Sequence, residues 1–301
     1  MKNGMVLINK PEGISSARVV HQVKKMFQVK KAGHTGTLDP FATGLLPVAL
    51  GQATRLSRFF LGGAKRYRAR VRLGIETDTY DHTGKIVNRA DPECLPAIDL
   101  ERIKETVAEF NGKQLQIAPS FSALKHQGRP LYELARQGKM IQKPARPIEI
   151  FSIQVTEMNL PEFELDIHCS GGTYIRSLAH DMGVMLGCGA HLSALCRTGV
   201  SHFTLDQACE LEALPALSGD KWLVSMTDCL SFLPRIQVDE SMAEKIGHGM
   251  KLSDQEVRFC QTAPLPENTP VRVTDSAGRL IAVIEADPNG MEFNYCCVFN
   301  A

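Results

Sequence analysis

Lys65-Arg66-Tyr67-Arg68-Ala69-Arg70-Val71-Arg72-Leu73-Gly74 alternates without a break. Tyr67, Ala69, Val71 and Leu73 fall on one face; Arg66, Arg68, Arg70 and Arg72 fall on the other. Successive side chains of a strand point to opposite faces, so the stretch predicts a strand with one buried face and one strongly basic face. Upstream, Met5–Ile8 reads as a short strand stopped by Asn9-Lys10-Pro11. Ser15 reads as the N-cap of a helix in which Val19, Val20, Val23, Met26 and Phe27 recur at helical spacing. Gly33 to Pro47, broken by Gly36, Pro40 and Gly44, reads as loop, and Thr54–Leu61 as a short helix. Downstream, Asp99 caps a helix over Leu100–Phe110 that closes near Gly112. A short helix over Arg129–Gly138 follows, then strands near Ile148–Val155 and Phe163–Cys169. Gly171-Gly172 leads into a helix over Thr173–Leu186 with Ile175, Leu178, Ala179, Met182 and Leu186 as its apolar stripe.

The chain has 301 residues, 44% hydrophobic and 22% charged, an ordinary globular composition that argues against a disordered or fibrous chain. At ~150 residues per domain this length predicts two. Ser231-Phe232-Leu233-Pro234 marks the expected boundary, giving units 1–230 and 231–301. The second is predicted to be small and mostly β, with a hairpin of Val271–Val273 and Leu280–Ile284 around Asp275-Ser276-Ala277-Gly278 and a last strand near Met291–Val298. No apolar run approaches the ~20 residues of a membrane span, and residues 1–20 lack the pattern of a secretory signal. The nine cysteines are scattered, with no C-x-x-C pair, which predicts reduced thiols in the cytoplasm.

The net charge of +1 conceals a strong asymmetry. Residues 1–72 carry seven Lys and seven Arg against Glu12 and Asp39 alone, and the remainder carries an excess of eleven acidic residues. A second basic stretch, 112–147, holds Lys113, Lys125, Arg129, Arg136, Lys139, Lys143 and Arg146 against Glu133. Two such stretches predict a face for RNA or DNA.

Standard cofactor and nucleophile motifs are missing: no phosphate loop, no G-x-G-x-x-G, no H-E-x-x-H and no G-x-S-x-G. Asp78 and Asp81 read as turn residues, and His180-Asp181 as a helix-surface pair. Neither metal nor cofactor is expected. The remaining candidate is Gly33-His34-Thr35-Gly36-Thr37-Leu38-Asp39-Pro40-Phe41-Ala42-Thr43-Gly44. Alone, Asp39-Pro40 reads as a turn. Amid so much positive charge, however, Asp39 is expected to stay ionised, and a loop-borne carboxylate suits nucleophilic or general-base work.

These residues, with 65–74, Pro119-Ser120-Phe121-Ser122-Ala123-Leu124-Lys125, 169–178 and 188–198, stand in the order of the TruB family of tRNA pseudouridine-55 synthases, which the chain resembles over nearly its whole length. The resemblance implies an α+β fold: a mixed, largely antiparallel sheet with flanking helices, plus a small C-terminal PUA-like β domain. It implies conversion of uridine to pseudouridine in the T arm of tRNA, by base flipping and without a cofactor. Asp39 would be the catalytic aspartate and Arg176 its ion-pair partner. Tyr67, Tyr174 and Leu195 would form the uracil pocket, and His34 would occupy the space left by the flipped nucleotide. Residues 112–147 would form a thumb that clamps the T loop, with Lys125 and Arg129, alongside Arg66 and Arg68, as RNA contacts. The PUA-like unit would meet the acceptor end. Two departures stand out: Cys196 replaces a basic residue usual in the family, and residues 232–301 carry six basic against ten acidic residues. A non-catalytic tRNA chaperone would use the same basic surfaces without needing Asp39. A methyltransferase would need the cofactor loop that is missing.

Overall fold

The Lys65–Leu73 strand sits in the middle of the larger sheet, described here from a computed structural model that covers residues 2–91, 98–216, 222–259, 269–287 and 292–299. The sheet runs in the order Cys209–Glu210, Gly4–Lys10, Thr43–Leu50, Ala190–Val200, Lys65–Leu73, Glu162–Cys169, Arg146–Asn159 and Gly112–Gln116. Neighbours in this row are antiparallel except at two places: Gly4–Lys10 beside Cys209–Glu210, and Thr43–Leu50 beside Ala190–Val200. The mixed, largely antiparallel sheet with flanking helices is therefore as expected.

The alternation in Lys65–Leu73 is realised residue by residue, odd positions buried and even positions exposed. On the inner face Tyr67, Ala69, Val71 and Leu73 join Phe163, Leu165, Ile167, Ile148 and Ile150 in one core. The helices Leu100–Ala108 and Ile175–Leu186 complete it with Ile103, Val107, Leu178 and Met182. Burying each large aliphatic or aromatic side chain contributes roughly 1.5–3 kcal/mol, which fixes the register against a one-residue slip. The helix ends follow their caps: Ser15 accepts from the Arg18 N–H at 3.2 Å and Asp99 from the Arg102 N–H at 2.9 Å.

The outer face differs from the expectation. Strand Glu162–Cys169 places Glu162 opposite Arg72, Glu164 opposite Arg70, Asp166 opposite Arg68 and His168 opposite Arg66. Arg70 meets Glu164 at 2.5 Å and Arg72 meets Glu162 at 3.5 Å. Exposed pairs like these contribute at most about 1 kcal/mol each, so their main effect is to cancel charge. The row that looks strongly basic in sequence is largely answered by its neighbour.

Two further elements depart from the sequence pattern. Ala190–Val200 is a long strand that breaker and periodicity signals did not mark. Within Gly33–Pro47, only 35–42 is loop; Ala32–His34 and Thr43–Leu50 are strands. Pro47, which has no N–H, falls where the ladder on one edge of Thr43–Leu50 passes from Cys196 and Arg197 to Ala32–His34.

A second sheet, in the order Arg235–Gln237, Val271–Thr274, Leu280–Ala286, Glu292–Val298 and Leu252–Ser253, forms the small PUA-like β unit, with the hairpin where it was expected. Met291, at the start of the last predicted strand, lies outside the described residues. Leu280, Val283, Cys297 and Phe299 of this sheet share a core with Met5, Leu7, Leu45, Ala49 and Phe60 of the larger one. Arg272 reinforces the contact by donating to the carbonyls of Leu233 (3.1 Å) and Thr227 (2.9 Å). Among the described residues seven cysteines are free thiols, and no helix is long and apolar enough to cross a membrane. Cys94 and Cys260 lie outside the described residues.

The parallel junction is short: Thr43 pairs with Cys196 and Gly44 with Arg197. Gly44 has φ +99°, and a Cβ there would collide with the Arg197 backbone. Gly44→Ala is therefore expected to cost about 2–4 kcal/mol, from left-handed strain plus overpacking. Urea unfolding of the two chains measures this; a loss under ~0.5 kcal/mol would show that the junction yields.

Candidate active site

Residues 35–42 leave the sheet where Thr43–Leu50 and Ala190–Val200 part, and three buried polar side chains hold them there. Ser16 Oγ accepts from the Leu38 N–H (2.8 Å) and donates to its carbonyl (2.9 Å). Lys10 Nζ donates to the carbonyls of Pro11 (2.8 Å), Ile14 (2.9 Å) and Pro40 (3.2 Å). Arg197, 1% exposed, donates to the carbonyls of Leu45 (2.8 Å), Gly36 (3.1 Å) and Thr37 (3.4 Å). Each satisfies backbone acceptors that a buried loop would otherwise leave unpaired. Burial brings the Lys10 ammonium down to about 8, despite the nearby carboxylates of Asp39 and Glu12.

Asp39 faces Arg176. The guanidinium Nε lies 2.9 Å from Asp39 Oδ2, and Nη2 donates to Oδ1 at 3.2 Å. Arg176, 3% exposed at the start of helix Ile175–Leu186, also donates to the carbonyls of Thr79 and Phe121, both at 2.8 Å. Its Nη1 is 3.5 Å from Asp81 Oδ2. Sequence reasoning made Asp81 a turn residue only. It does organise the turn, accepting from Thr79 Oγ1 (2.9 Å), the Thr83 N–H (3.0 Å) and Thr83 Oγ1 (2.5 Å), and it is also the second carboxylate on Arg176. Its signal was faint: Thr79 and Thr83 stand two residues to either side of it, placed to hold a buried carboxylate, with Thr77 donating to its backbone carbonyl.

The cations that act on the pKa of Asp39 are Arg176 and Lys10. Burial raises it, opposed chiefly by Arg176 and then by Lys10, while Asp81 adds to the rise. The charges counted along the chain are mostly not near it. The lysines of 24–31 are exposed around the far end of helix Ser16–Met26, and the arginines of Lys65–Leu73 line the outer face of the sheet.

Beside Asp39 opens a cavity of about 300 Å³ lined by Leu61, Lys65, Tyr67, Arg146, Tyr174, Arg176, Leu195 and Arg197, among others. Tyr67 and Leu195 are 9% and 7% exposed and supply its apolar surface. Burial raises the Tyr67 phenol despite the neighbouring Arg197 cation, so the ring is neutral and flat, suited to stacking. Tyr174 is fixed by its backbone, which donates to Gln116 Oε1 (2.8 Å) and accepts from Gln116 Nε2 (3.0 Å). Lys65 Nζ is tied to the carbonyls of Gly63 (2.6 Å), Phe60 (2.7 Å) and Leu61 (3.0 Å).

Asp39, Tyr67, Tyr174, Arg176 and Leu195 are thus brought together. His34 lines a second hollow, shared with Asp39, Arg176, Phe41, Tyr132 and Arg136, and its ring accepts from the Gly36 N–H at 3.3 Å. Burial, with help from Arg197, lowers its pKa, so it is neutral at pH 7. Lys125 and Arg129 are exposed on the two-stranded hairpin Lys125–His126 and Arg129–Pro130. That segment returns to the site through Phe121, whose carbonyl binds Arg176. Arg66 and Arg68 project from the opposite face of the strand to Tyr67 and do not reach the cavity. Among the described residues no group of three His, Cys, Asp or Glu side chains could hold a metal ion.

The family described as TruB family pseudouridylate synthase (N terminal domain) matches residues 24–175, and tRNA pseudouridylate synthase B C-terminal domain matches 176–224. The chain is 39% identical to the tRNA pseudouridine synthase B of Vibrio campbellii, over 96% of this chain and 92% of that one. It is 42% identical to the protein of that name from Geobacter sulfurreducens, over 94% and 93%. Among solved structures, a chain from the crystal structure of a Cbf5-Nop10-Gar1 complex superposes with a TM-score of 0.73 at 27% identity, covering 94% of this chain and 78% of that one.

Because the folded-state pKa of Asp39 is raised, the folded chain takes up its proton earlier than the unfolded chain as pH falls. The partly buried carboxylate, its side chain 34% exposed, therefore costs stability at pH 7, and that cost is relieved on acidification through the raised value. Asp39→Asn is expected to melt no lower than the native chain at pH 7, the difference shrinking as pH falls. Thermal melts at a series of pH values check this, and a variant several degrees less stable at pH 7 would show that the charge holds the loop.

Proposed function

Because the chain belongs to the TruB family of pseudouridylate synthases, we propose that it isomerises the uridine at position 55, in the T arm of tRNA, to pseudouridine. The observation that carries this reading is Asp39, paired with Arg176 at the wall of a cavity with a flat, neutral tyrosine and a leucine on its surface. The base is swung out of the T loop and enters this cavity, Tyr67 stacking on it with Leu195 and Tyr174 around it. His34, neutral and lining the second hollow, fills the gap in the RNA stack, offsetting a few kcal/mol of lost stacking. The C1′–N1 bond breaks with Asp39 acting at C1′, at C6 or on the C2′ proton. The uracil turns and a C1′–C5 bond forms. The C5 hydrogen then leaves as a proton, while N1 gains one. Arg176 keeps Asp39 oriented and charged, and Asp81 holds Arg176 from its other side.

In this reading residues 1–230 carry the chemistry and act in the cytoplasm. Residues 112–147 clamp the T loop through Lys125 and Arg129. Residues 231–301 meet the acceptor end. Recognition rests on loop shape and exposed bases, since the A-form major groove is too narrow to read.

Tritium release from tRNA carrying 5-tritiated uridine tests the reaction, because the C5 link cannot form without expelling that hydrogen. Stoichiometric release by the native chain and none by Asp39→Asn, with tRNA binding retained, is the expected result. Tight binding without release by either chain would favour a chaperone. Arg176 lowers the Asp39 pKa, so Arg176→Gln should reduce turnover by about 100-fold or more and move the acid limb of the pH profile upward. An unmoved limb would separate Arg176 from the titration of Asp39. Charge reversal at Lys125 and Arg129 should weaken binding and flatten its salt dependence without changing which uridine reacts.

A further inference from the structure

Four cations line the cavity, and three of them have their donors committed to the protein. Lys65 is held by three carbonyls, Arg197 by three carbonyls, and Arg176 by Asp39, Asp81 and two carbonyls. Arg146 is different. Its guanidinium lies 4.7 Å from the centre of the Tyr174 ring, and Nη2 donates to the Gly172 carbonyl. Its Nε is buried without a hydrogen-bond partner, as is that of Arg176, but where Arg176 Nε has Asp39 Oδ2 at 2.9 Å, Arg146 has no carboxylate within ion-pair distance among the described residues. Of the seven cations in 112–147, it is the one that lines this cavity.

A guanidinium has five donors in a planar fork, matched to two oxygens of one anion. Here one face rests on Tyr174, one donor holds the turn at Gly172, and the rest have no protein acceptor. The three committed cations cannot accept a new anion without giving up loop or carboxylate contacts. We propose that Arg146 binds a phosphate flanking the flipped uridine, fixing the nucleotide's backbone at the cavity while Tyr67 and Asp39 engage its base and sugar. This rests on reading the cavity as the uridine site. It adds that the anion of the same nucleotide is read by Arg146, from the platform of the Tyr174 ring. Arg146 is also the first residue of the strand Arg146–Asn159 and the last cation of the thumb segment, so a phosphate held there ties the clamp to the pocket.

The test is a cycle between protein and RNA. A T-arm hairpin is made with a neutral methylphosphonate at the linkage 5′ or, separately, 3′ to the target uridine. Affinity and kcat/KM for tritium release are measured with the native chain, Arg146→Gln and Arg146→Lys. On unmodified hairpin, Arg146→Gln is expected to lose about 30-fold and to reduce the salt slope by about one. On one of the two methylphosphonates the native chain should already have lost that factor, and Arg146→Gln should lose no more. Arg146→Lys, which keeps the charge without the planar stack, should fall between them, and it carries the test should the glutamine variant melt early. Equal losses on all three RNAs would overturn the proposal and leave Arg146 a support for Tyr174. Should the native chain release no tritium, the reading of the reaction fails. The cycle in affinity would still decide whether Arg146 meets a phosphate.

Discussion

The buried guanidinium of Arg197 is the contact on which the site depends. It lies where two strands that run parallel share only two paired positions, so the sheet opens and a loop can leave it. A loop leaving a sheet indoors exposes carbonyls that water cannot reach. Arg197 answers three of them at once and, among the described residues, has no carboxylate partner of its own. Burial accordingly lowers its pKa, with Tyr67 as the main opposing influence. The same side chain therefore shapes the Asp39 loop from below and meets the phenol at the wall of the cavity. Gly44 completes the arrangement, because only a residue without Cβ lets Arg197's backbone come so close.

Around Asp39 the balance is between desolvation and one shared cation. Two carboxylates face Arg176, and a buried guanidinium can serve both only because its remaining donors reach carbonyls at Thr79 and Phe121. Those carbonyls belong to a turn and to the base of the basic hairpin, segments far apart in sequence. Arg176 thus converts the position of both into the orientation of one carboxylate. Partial burial raises the Asp39 pKa against the attraction of Arg176 and Lys10, a local cost to stability.

Much of this was legible in sequence wherever the decisive contacts are local. Alternation gave the Lys65–Leu73 strand, and Ser15 and Asp99 gave two helix starts, because caps and periodicity act within a few residues. The family resemblance singled out Asp39, Arg176, Tyr67, Tyr174 and Leu195, and the fold gathers those five. What failed depends on partners distant along the chain. The arginine row looked basic because Glu162, Glu164 and Asp166 enter only through strand pairing. Asp81 looked like a turn residue because the cation it faces is Arg176. Thr43–Pro47 looked like loop because Pro47 is tolerated only where the ladder changes partners. Charge counted along residues 1–72 overstates what Asp39 meets for the same reason: the cations acting on it are Arg176 and Lys10, because electrostatics follows distance and burial, not sequence.

The acidic carboxy-terminal unit also acquires a physical meaning from its packing. Its sheet buries Leu280, Val283, Cys297 and Phe299 against the side chains of Gly4–Lys10 and Thr43–Leu50, the strands that deliver Lys10 and Gly44 to the loop. Arg272 bonds two carbonyls of the connecting segment, and Arg55 stands over the Phe299 ring at 5.2 Å. A swinging module would expose this apolar surface, so the small sheet serves as the back wall of the Asp39 loop. An excess of negative charge is tolerable there, because the shared interface is apolar and the acidic residues can remain in water.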